Sequence, residues 1–228
     1  METIFDFFLS RGCKHIHANP VFEHKWTIEE AQDYYMILLK LATRLLSVDG
    51  AESSLFSDFK GKPMLSTETS NYCGGTSAML AFDPDGNAYP CLRYMESSLG
   101  TDRPPIIIGN TNGIYNTPEY KAVYDDMQKV TRQSQSTEEC INCPVASGCA
   151  WCSAWNYQET GSYNKRSTNT CWMHRANSLA NVHYWNTYYI MHDKPERFPL
   201  YLPRDIANKI IPDEEYDRLY RLSTEPIT

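Results

Sequence analysis

Apolar positions in the first 50 residues change their spacing twice. Residues 3–9 (TIFDFFL) crowd them into a short apolar helix that Gly12 ends. From Lys14 to Val21 (KHIHANPV) they alternate loosely, which predicts one strand with its exit loop. From Thr27 they recur at Ala31, Tyr35, Leu38, Leu41, Ala42, Leu45 and Val48, the spacing of a helix with one buried face. Thr27 and Glu30 form a capping box at its start, and Gly50 suits the position just past its end. A strand followed by a long packed helix predicts the last unit of an α/β layer. Such a unit cannot close its own sheet.

Residues 51–72 turn polar and read as a connector. Ser77–Phe82 reads as a strand, Asp83-Pro84-Asp85-Gly86 as a turn and Asn87–Tyr89 as the return strand. Cys73 and Cys91 stand at the two outer ends of that hairpin, where they can converge on one object. Residues 92–105 read as loop, Ile106–Ile108 as a short strand and Gly109-Asn110 as a turn. Thr117 then caps a helix with Pro118 at its first position, and Tyr120, Val123, Tyr124, Met127 and Val130 supply its apolar face. Residues 134–170 are irregular and cysteine-dense, and are expected to be held together by ligands. A long helix is predicted from Trp172 to Ile190. Prolines 195, 199, 203 and 212 follow, before a short amphipathic helix carrying Tyr216, Leu219, Tyr220 and Leu222. The fold class is α+β, without internal repeats.

Composition narrows the function classes. The 228 residues allow one large domain or two small ones with a real core. The 42% hydrophobic content overstates that core, because 16 of those residues are tyrosines whose hydroxyls need partners. A net charge of -7 with no Lys/Arg stripe argues against nucleic acid as partner. No apolar run approaches a spanning helix, so no membrane is expected. The opening METIFDFFLSRG is too short and acidic for a signal peptide, which makes a cytoplasmic chain the expectation.

The eight cysteines change the picture most. Seven of them (Cys73, Cys91, Cys140, Cys143, Cys149, Cys152 and Cys171) fall within residues 73–171, and only Cys13 lies outside. A disulfide framework belongs to short secreted chains and is disfavoured here. Cys140-x2-Cys143-x5-Cys149-x2-Cys152, with Cys171 after eighteen intervening residues, spaces thiolates as metal knuckles do. Seven thiolates are too many for one centre and one short of two complete ones. That count suggests two centres, one with an open position where chemistry can occur. A single zinc with spare cysteines remains the alternative, in a zinc-stapled peptide- or protein-binding module without redox activity.

The pattern Cys73-x12-Gly86-x4-Cys91, then Cys140-x2-Cys143-x5-Cys149-x2-Cys152, then Cys171 resembles the seven-cysteine SPASM domain. That domain extends many radical S-adenosylmethionine enzymes that modify peptides and proteins. DPDGNAYPC, Ile108-Gly109-Asn110 and CPVASGCAWC resemble the family as well, and HIHANPVFEHKWT resembles the last βα unit of its partial barrel. The likeness covers roughly residues 1 to 190. It implies a C-terminal remnant of the radical SAM barrel over 1–66, a SPASM domain over 67–192 and a Pro-containing extension over 193–228. It also implies two 4Fe-4S clusters: an inner one on Cys73, Cys91 and Cys152, and an outer one on Cys140, Cys143, Cys149 and Cys171. Three protein ligands would leave one inner iron open. Arg93 and Tyr94, after Cys91, would line the substrate path.

The chain departs from the family in three places. Two residues, Ala150-Trp151, precede Cys152 where three are commoner. The Cys-x3-Cys-x2-Cys motif that binds the catalytic cluster and S-adenosylmethionine is absent, so this chain alone should not cleave S-adenosylmethionine. The remaining barrel would come from a longer chain or a partner. Leu92 stands where sulfatase-maturing members carry an aspartate, which disfavours that activity. The resemblance is nearest to maturases of cysteine-containing ribosomal peptides, with the clusters orienting substrate and relaying electrons.

Other residues read more plainly. Cys13 is expected to be a buried small hydrophobe on its strand. His15 and His17 share a strand face and pack or lie exposed. His174, three residues after Cys171, is tempting as a fourth inner ligand, but hydrogen bonding on the helix is the expectation. Asp83 and Asp85 are turn residues. Trp151, Trp155, Tyr157, Trp172, Tyr184 and Trp185 are expected to form a dry shell around the clusters. Gly74-Gly75 would let backbone amides approach cluster sulfur.

Overall fold

Thr27 opens the first long element as its sequence predicts. Its Oγ1 accepts the Glu30 amide at 3.2 Å, and Glu30 Oε2 accepts the Thr27 amide at 2.9 Å, so two otherwise unpaired donors are satisfied reciprocally. The computed structural model describes residues 2–64, 74–76, 78–112, 117–149 and 152–225. In chain order these hold α1 (Glu2–Ser10), β1 (His15–Ile16), α2 (Ile28–Leu46), β2 (Glu52–Ser53), β3 (Ala81–Phe82) and β4 (Asn87–Tyr89). Next come α3 (Glu96–Leu99), β5 (Gly109–Asn110), α4 (Pro118–Gln128), α5 (Arg132–Gln135), α6 (Glu138–Ile141) and α7 (Ser153–Thr160). The last are α8 (Cys171–Met191), α9 (Arg204–Ala207) and α10 (Asp213–Thr224). The chain mixes helix and sheet, with helix dominant. Among the described residues no helix is long and apolar enough to cross a membrane.

Two compact units interleave along the sequence. The first comprises Met1–Met64, Asn142–Ala150 and Asn169–Thr228. Here β1 pairs in parallel with β2, His15 opposite Glu52 and Ile16 opposite Ser53, with α2 as the crossover. The predicted strand Lys14–Val21 shrinks to two residues, because Ser54 Oγ bonds both the amide and the carbonyl of Ala18, each at 2.9 Å, and ends the ladder. The face of α2 formed by Ala31, Tyr34, Tyr35, Leu38, Leu41, Ala42 and Leu45 is buried against α8. Ala176 and Ala180, four residues apart on α8 and fully buried, let the two helices approach closely.

The stretch expected to be a polar connector instead contains β2 and the buried Leu55 and Phe56. Buried asparagines of α8 hold it in place. Asn177 Nδ2 and Asn181 Nδ2 both donate to the Leu55 carbonyl, at 3.0 and 3.1 Å, while Asn181 Oδ1 accepts the Ser57 amide at 2.9 Å. Further along, Asn186 pairs with both backbone groups of Phe198, at 2.8 Å each. Hydropathy counts these residues as polar, but here they substitute for ladder partners inside the core.

The second unit comprises Leu65–Ile141 and Trp151–Thr168. Its sheet is antiparallel in the order β3-β4-β5, with Ala81 opposite Tyr89 and Ala88 opposite Gly109. Gly109-Asn110, read as a turn, is therefore the third strand. Ile106–Ile108, read as that strand, divides its bonds instead: Ile106 donates to Tyr94 O at 3.2 Å and Ile108 to Ala88 O at 2.8 Å. The region 134–170 is more regular than expected. Asn156 on α7 bonds Gln135 Oε1 through Nδ2 at 2.7 Å and accepts the Ser167 amide at 2.8 Å, and the Arg166 amide donates to Gln135 O at 2.9 Å. The expected boundary at 66/67 and the start of the hairpin strand at Ser77 lie outside the described residues.

Candidate functional site

Cys91 and Cys152, 61 residues apart in sequence, are buried in one small cluster of the second unit with Tyr89, Tyr94, Met127, Ala154 and Trp155. Each stands at the start of a helical turn. Cys91 is extended and leads into the 3-10 turn Leu92–Tyr94, whose last amide returns to the Cys91 carbonyl at 3.1 Å. Cys152 is the N-cap of α7, and its Sγ accepts the Trp155 amide at 3.5 Å. Amides at a helix start favour an anionic sulfur, so this placement suits a thiolate. Two polar atoms beside Cys152 add to the site. Ser153 Oγ and Trp155 Nε1 are buried with no hydrogen-bond partner among the described residues. Buried donors are normally satisfied, and a sulfur-rich group between these cysteines would supply the missing acceptor. Cys73 lies outside the described residues. Gly74, at the start of the 3-10 turn Gly74–Thr76, receives the Ala78 and Met79 amides on its carbonyl at 2.7 and 2.8 Å.

Asp83 builds the hairpin that delivers Cys91. Its carboxylate accepts the Tyr89 hydroxyl at 2.6 Å, the Asn87 side-chain amide at 2.9 Å and the Asn87 backbone amide at 2.9 Å. The Tyr89 and Asn87 hydrogen bonds hold it below the usual carboxylate range, as expected for a structural turn residue. Arg93 is half-buried and Tyr94 fully buried, so Tyr94 serves as packing around Cys91.

Cys143, Cys149 and Cys171 belong to the first unit, each half-buried. Segment 142–149 is fastened twice to residues 61 and 62, by Gly61 N to Ser147 O at 3.1 Å and Ser147 N to Lys62 O at 2.8 Å. A Cβ on Gly148 would stand 2.5 Å from Lys60 Cγ and 3.0 Å from its Cα, so the two stretches are in direct contact. Burial lowers the Lys60 ammonium to about 8, and its Nζ donates to Ser54 O at 2.7 Å. His174 Nε2 bonds the Val145 carbonyl, which ties the cysteine segment to the first turn of α8, where Cys171 stands. The imidazole is buried and bonds the backbone of another segment, whereas hydrogen bonding on the surface of its own helix is the sequence expectation. The amide of Cys140, on α6, donates to Thr137 Oγ1 at 3.2 Å. No disulfide joins the described cysteines, and no three Cys, His, Asp or Glu side chains among the described residues converge on a single-ion site.

Two expectations are corrected. Cys13 is exposed, not buried, because it closes the turn after α1, donating its amide to Phe8 O at 3.0 Å before β1 begins. The aromatic shell divides. Trp155 and Tyr157 surround Cys91 and Cys152, and Trp151 lies outside the described residues. Trp172 carries the Arg175 guanidinium 4.6 Å from its ring centre. Tyr184 and Trp185 stand about 20 Å along α8 from Cys171 at 1.5 Å per residue and shield nothing there. Sequence reasoning missed the role of Asn177, Asn181 and Asn186, although amides recurring on an otherwise apolar helix face are the signal for it. His15 and His17 are exposed, and His15 Nδ1 meets Glu52 Oε1 at 2.6 Å. No family model, curated protein or solved structure matches the chain.

Proposed function

We propose that the chain is the auxiliary iron–sulfur portion of a radical S-adenosylmethionine enzyme that modifies a cysteine-containing ribosomal peptide. Cys73, Cys91 and Cys152 would hold one 4Fe-4S cluster, and Cys140, Cys143, Cys149 and Cys171 a second. The parallel β1-α2-β2 unit would be the end of the enzyme's partial barrel. The binding site for S-adenosylmethionine would be supplied outside these residues, since the chain lacks Cys-x3-Cys-x2-Cys. One observation carries the reading: the two distant cysteines assigned to one cluster are buried together, with orphaned donors beside them. Loaded clusters would supply one-electron transfer and, at the three-cysteine site, one open iron position. The residues around that site have separate tasks. Tyr89, Tyr94 and Trp155 exclude water, the start of α7 favours negative charge on Cys152, and the Asp83 turn sets the position of Cys91.

The test is protein purified and reconstituted anaerobically. About eight irons with equal labile sulfide per chain are expected. Cys91→Ala with Cys152→Ala should remove about four irons, and Cys143→Ala with Cys171→Ala the other four. Zinc at about one or two per chain without sulfide would overturn the reading in favour of a structural module. Iron lost equally from both variant pairs would overturn the ligand assignment.

A further inference from the structure

A second site lies at the far end of α8, wholly within the first unit. The turn from α2 into β2 and the last two turns of α8 enclose an open cavity of about 660 Å³. One side is aromatic: Phe56, Tyr184, Trp185 and Tyr188. Tyr184 lies nearly parallel to Phe56 and Tyr188, and Trp185 stands edge-on to both tyrosines. Tyr184 stacks on Phe56 at 4.5 Å between centres, while Tyr188 stands at 79° to Trp185 at 5.6 Å. The other side carries the exposed carboxylates Asp49, Glu52 and Asp58. His15 engages Glu52, but no described cation is paired with Asp49 or Asp58. Trp185 Nε1 is buried with no hydrogen-bond partner among the described residues. Outside the cavity lining, Tyr188 also meets a cation of the chain itself, with Lys194 Nζ 5.0 Å from its ring centre.

Aromatic faces beside unpaired carboxylates, in a concave space, select positive charge carried on an apolar stem. An inorganic ion is a poor fit, because no three acidic, His or Cys side chains converge among the described residues. A quaternary ammonium would leave both carboxylates without N–H donors. The net charge of -7 adds a field of the same sense. We propose that this cavity binds an alkylammonium or guanidinium group, the chemistry of a lysine or arginine side chain. The site is independent of the iron–sulfur reading. It lies about 20 Å from Cys171 along α8 and uses none of the seven clustered cysteines.

Calorimetric titration of the full chain tests it, with capped Gly-Lys-Gly, Gly-Arg-Gly and Gly-norleucine-Gly peptides and with n-butylammonium. The lysine and arginine peptides should bind at least about tenfold more tightly than the norleucine peptide, and added salt should weaken them. Asp49→Asn combined with Asp58→Asn changes only exposed groups and should weaken the lysine peptide about tenfold with circular dichroism unchanged. Butylammonium binding as tightly as the lysine peptide would support the site and make a free amine its source, whereas weaker binding would assign it to a peptide. Equal binding of the norleucine peptide would overturn the proposal, because the cavity would then read apolar surface alone. So would the absence of binding by every cationic probe, or an unchanged affinity in the double variant.

Discussion

Gly86 carries two constraints at once. Its φ of +83° lies in the left-handed region, and a Cβ there would come within 2.3 Å of Thr111 Oγ1. A side-chain tip can rotate away, so the backbone term decides the outcome, at roughly 1–2 kcal/mol for a residue with a Cβ. What depends on this turn is larger than the turn itself. The Asp83 carboxylate gathers Asn87 and Tyr89, and Tyr89 packs in the same cluster as Cys91 and Cys152. Gly86→Ala is therefore expected to lower thermal stability by several degrees and, under the proposed cluster reading, to lower the iron content of the reconstituted protein. In a Thr111→Ala background the same substitution should remain harmful, because only the contact is relieved. A Gly86→Ala protein that melts with wild type would remove the left-handed turn from the argument.

At the scale of elements, the docking of α10 depends on a half-buried charge cluster. Arg218 Nε and Nη2 donate to the two Glu215 oxygens at 2.6 and 2.7 Å, Tyr35 of α2 donates its hydroxyl to Glu215, and Arg218 Nη1 meets His183 Nδ1 of α8 at 3.2 Å. Burial, with the Arg218 charge adding to it, lowers His183 from 6.5 to about 4. Burial alone would raise Glu215, but Arg218 and Tyr35 outweigh it and hold the carboxyl below its ordinary value. Between those His183 values the unfolded chain takes a proton that the folded chain refuses. Stability therefore falls as pH drops from about 6.5 toward 4, by on the order of 3 kcal/mol in the limit. The Glu215 contribution is lost only below its free value of 4.5. Amide exchange in Asp213–Thr224, corrected for intrinsic rate, should accelerate across that window, and His183→Gln should flatten the response. Unchanged protection in the wild-type protein would sink the idea. Elements of this size were legible in the sequence from period and caps together at α2 and at α4, with Thr117 and Pro118 at its start, and from apolar spacing alone at α8 and α10. Short strands were not, because two-residue ladders such as β1 and β5 carry no alternation to read. The buried run at Leu55-Phe56 was hidden for a different reason: its partners are the asparagines of α8, and polarity there marks a hydrogen-bonded core rather than a surface.

For the whole molecule, the two units rest on different kinds of interior. The first has the aliphatic and aromatic contact of α2 with α8, which needs no ligand to be complete. The second has a buried cluster in which two of the seven described residues are cysteines, with two orphaned donors at their side. The candidate site was legible to that extent, since the family resemblance assigned Cys91 and Cys152 to one group. It did not show that Tyr184 and Trp185 line a separate cavity, because proximity in sequence to Cys171 says little along a helix that rises 1.5 Å per residue. If the cysteines hold metal clusters, metal binding contributes folding free energy mainly where the apolar core is thin. Chelation of the iron under anaerobic conditions should then raise amide exchange first in residues 78–112 and 152–168. The α2–α8 interface should stay protected, since its burial is unaffected. Cys91→Ser combined with Cys152→Ser should reproduce that pattern without chelator. Simultaneous loss of protection in both units would mean that their stability is shared and the α2–α8 core is not self-sufficient. Full protection of the second unit after iron removal would show that Cys91 and Cys152 are core residues and nothing more.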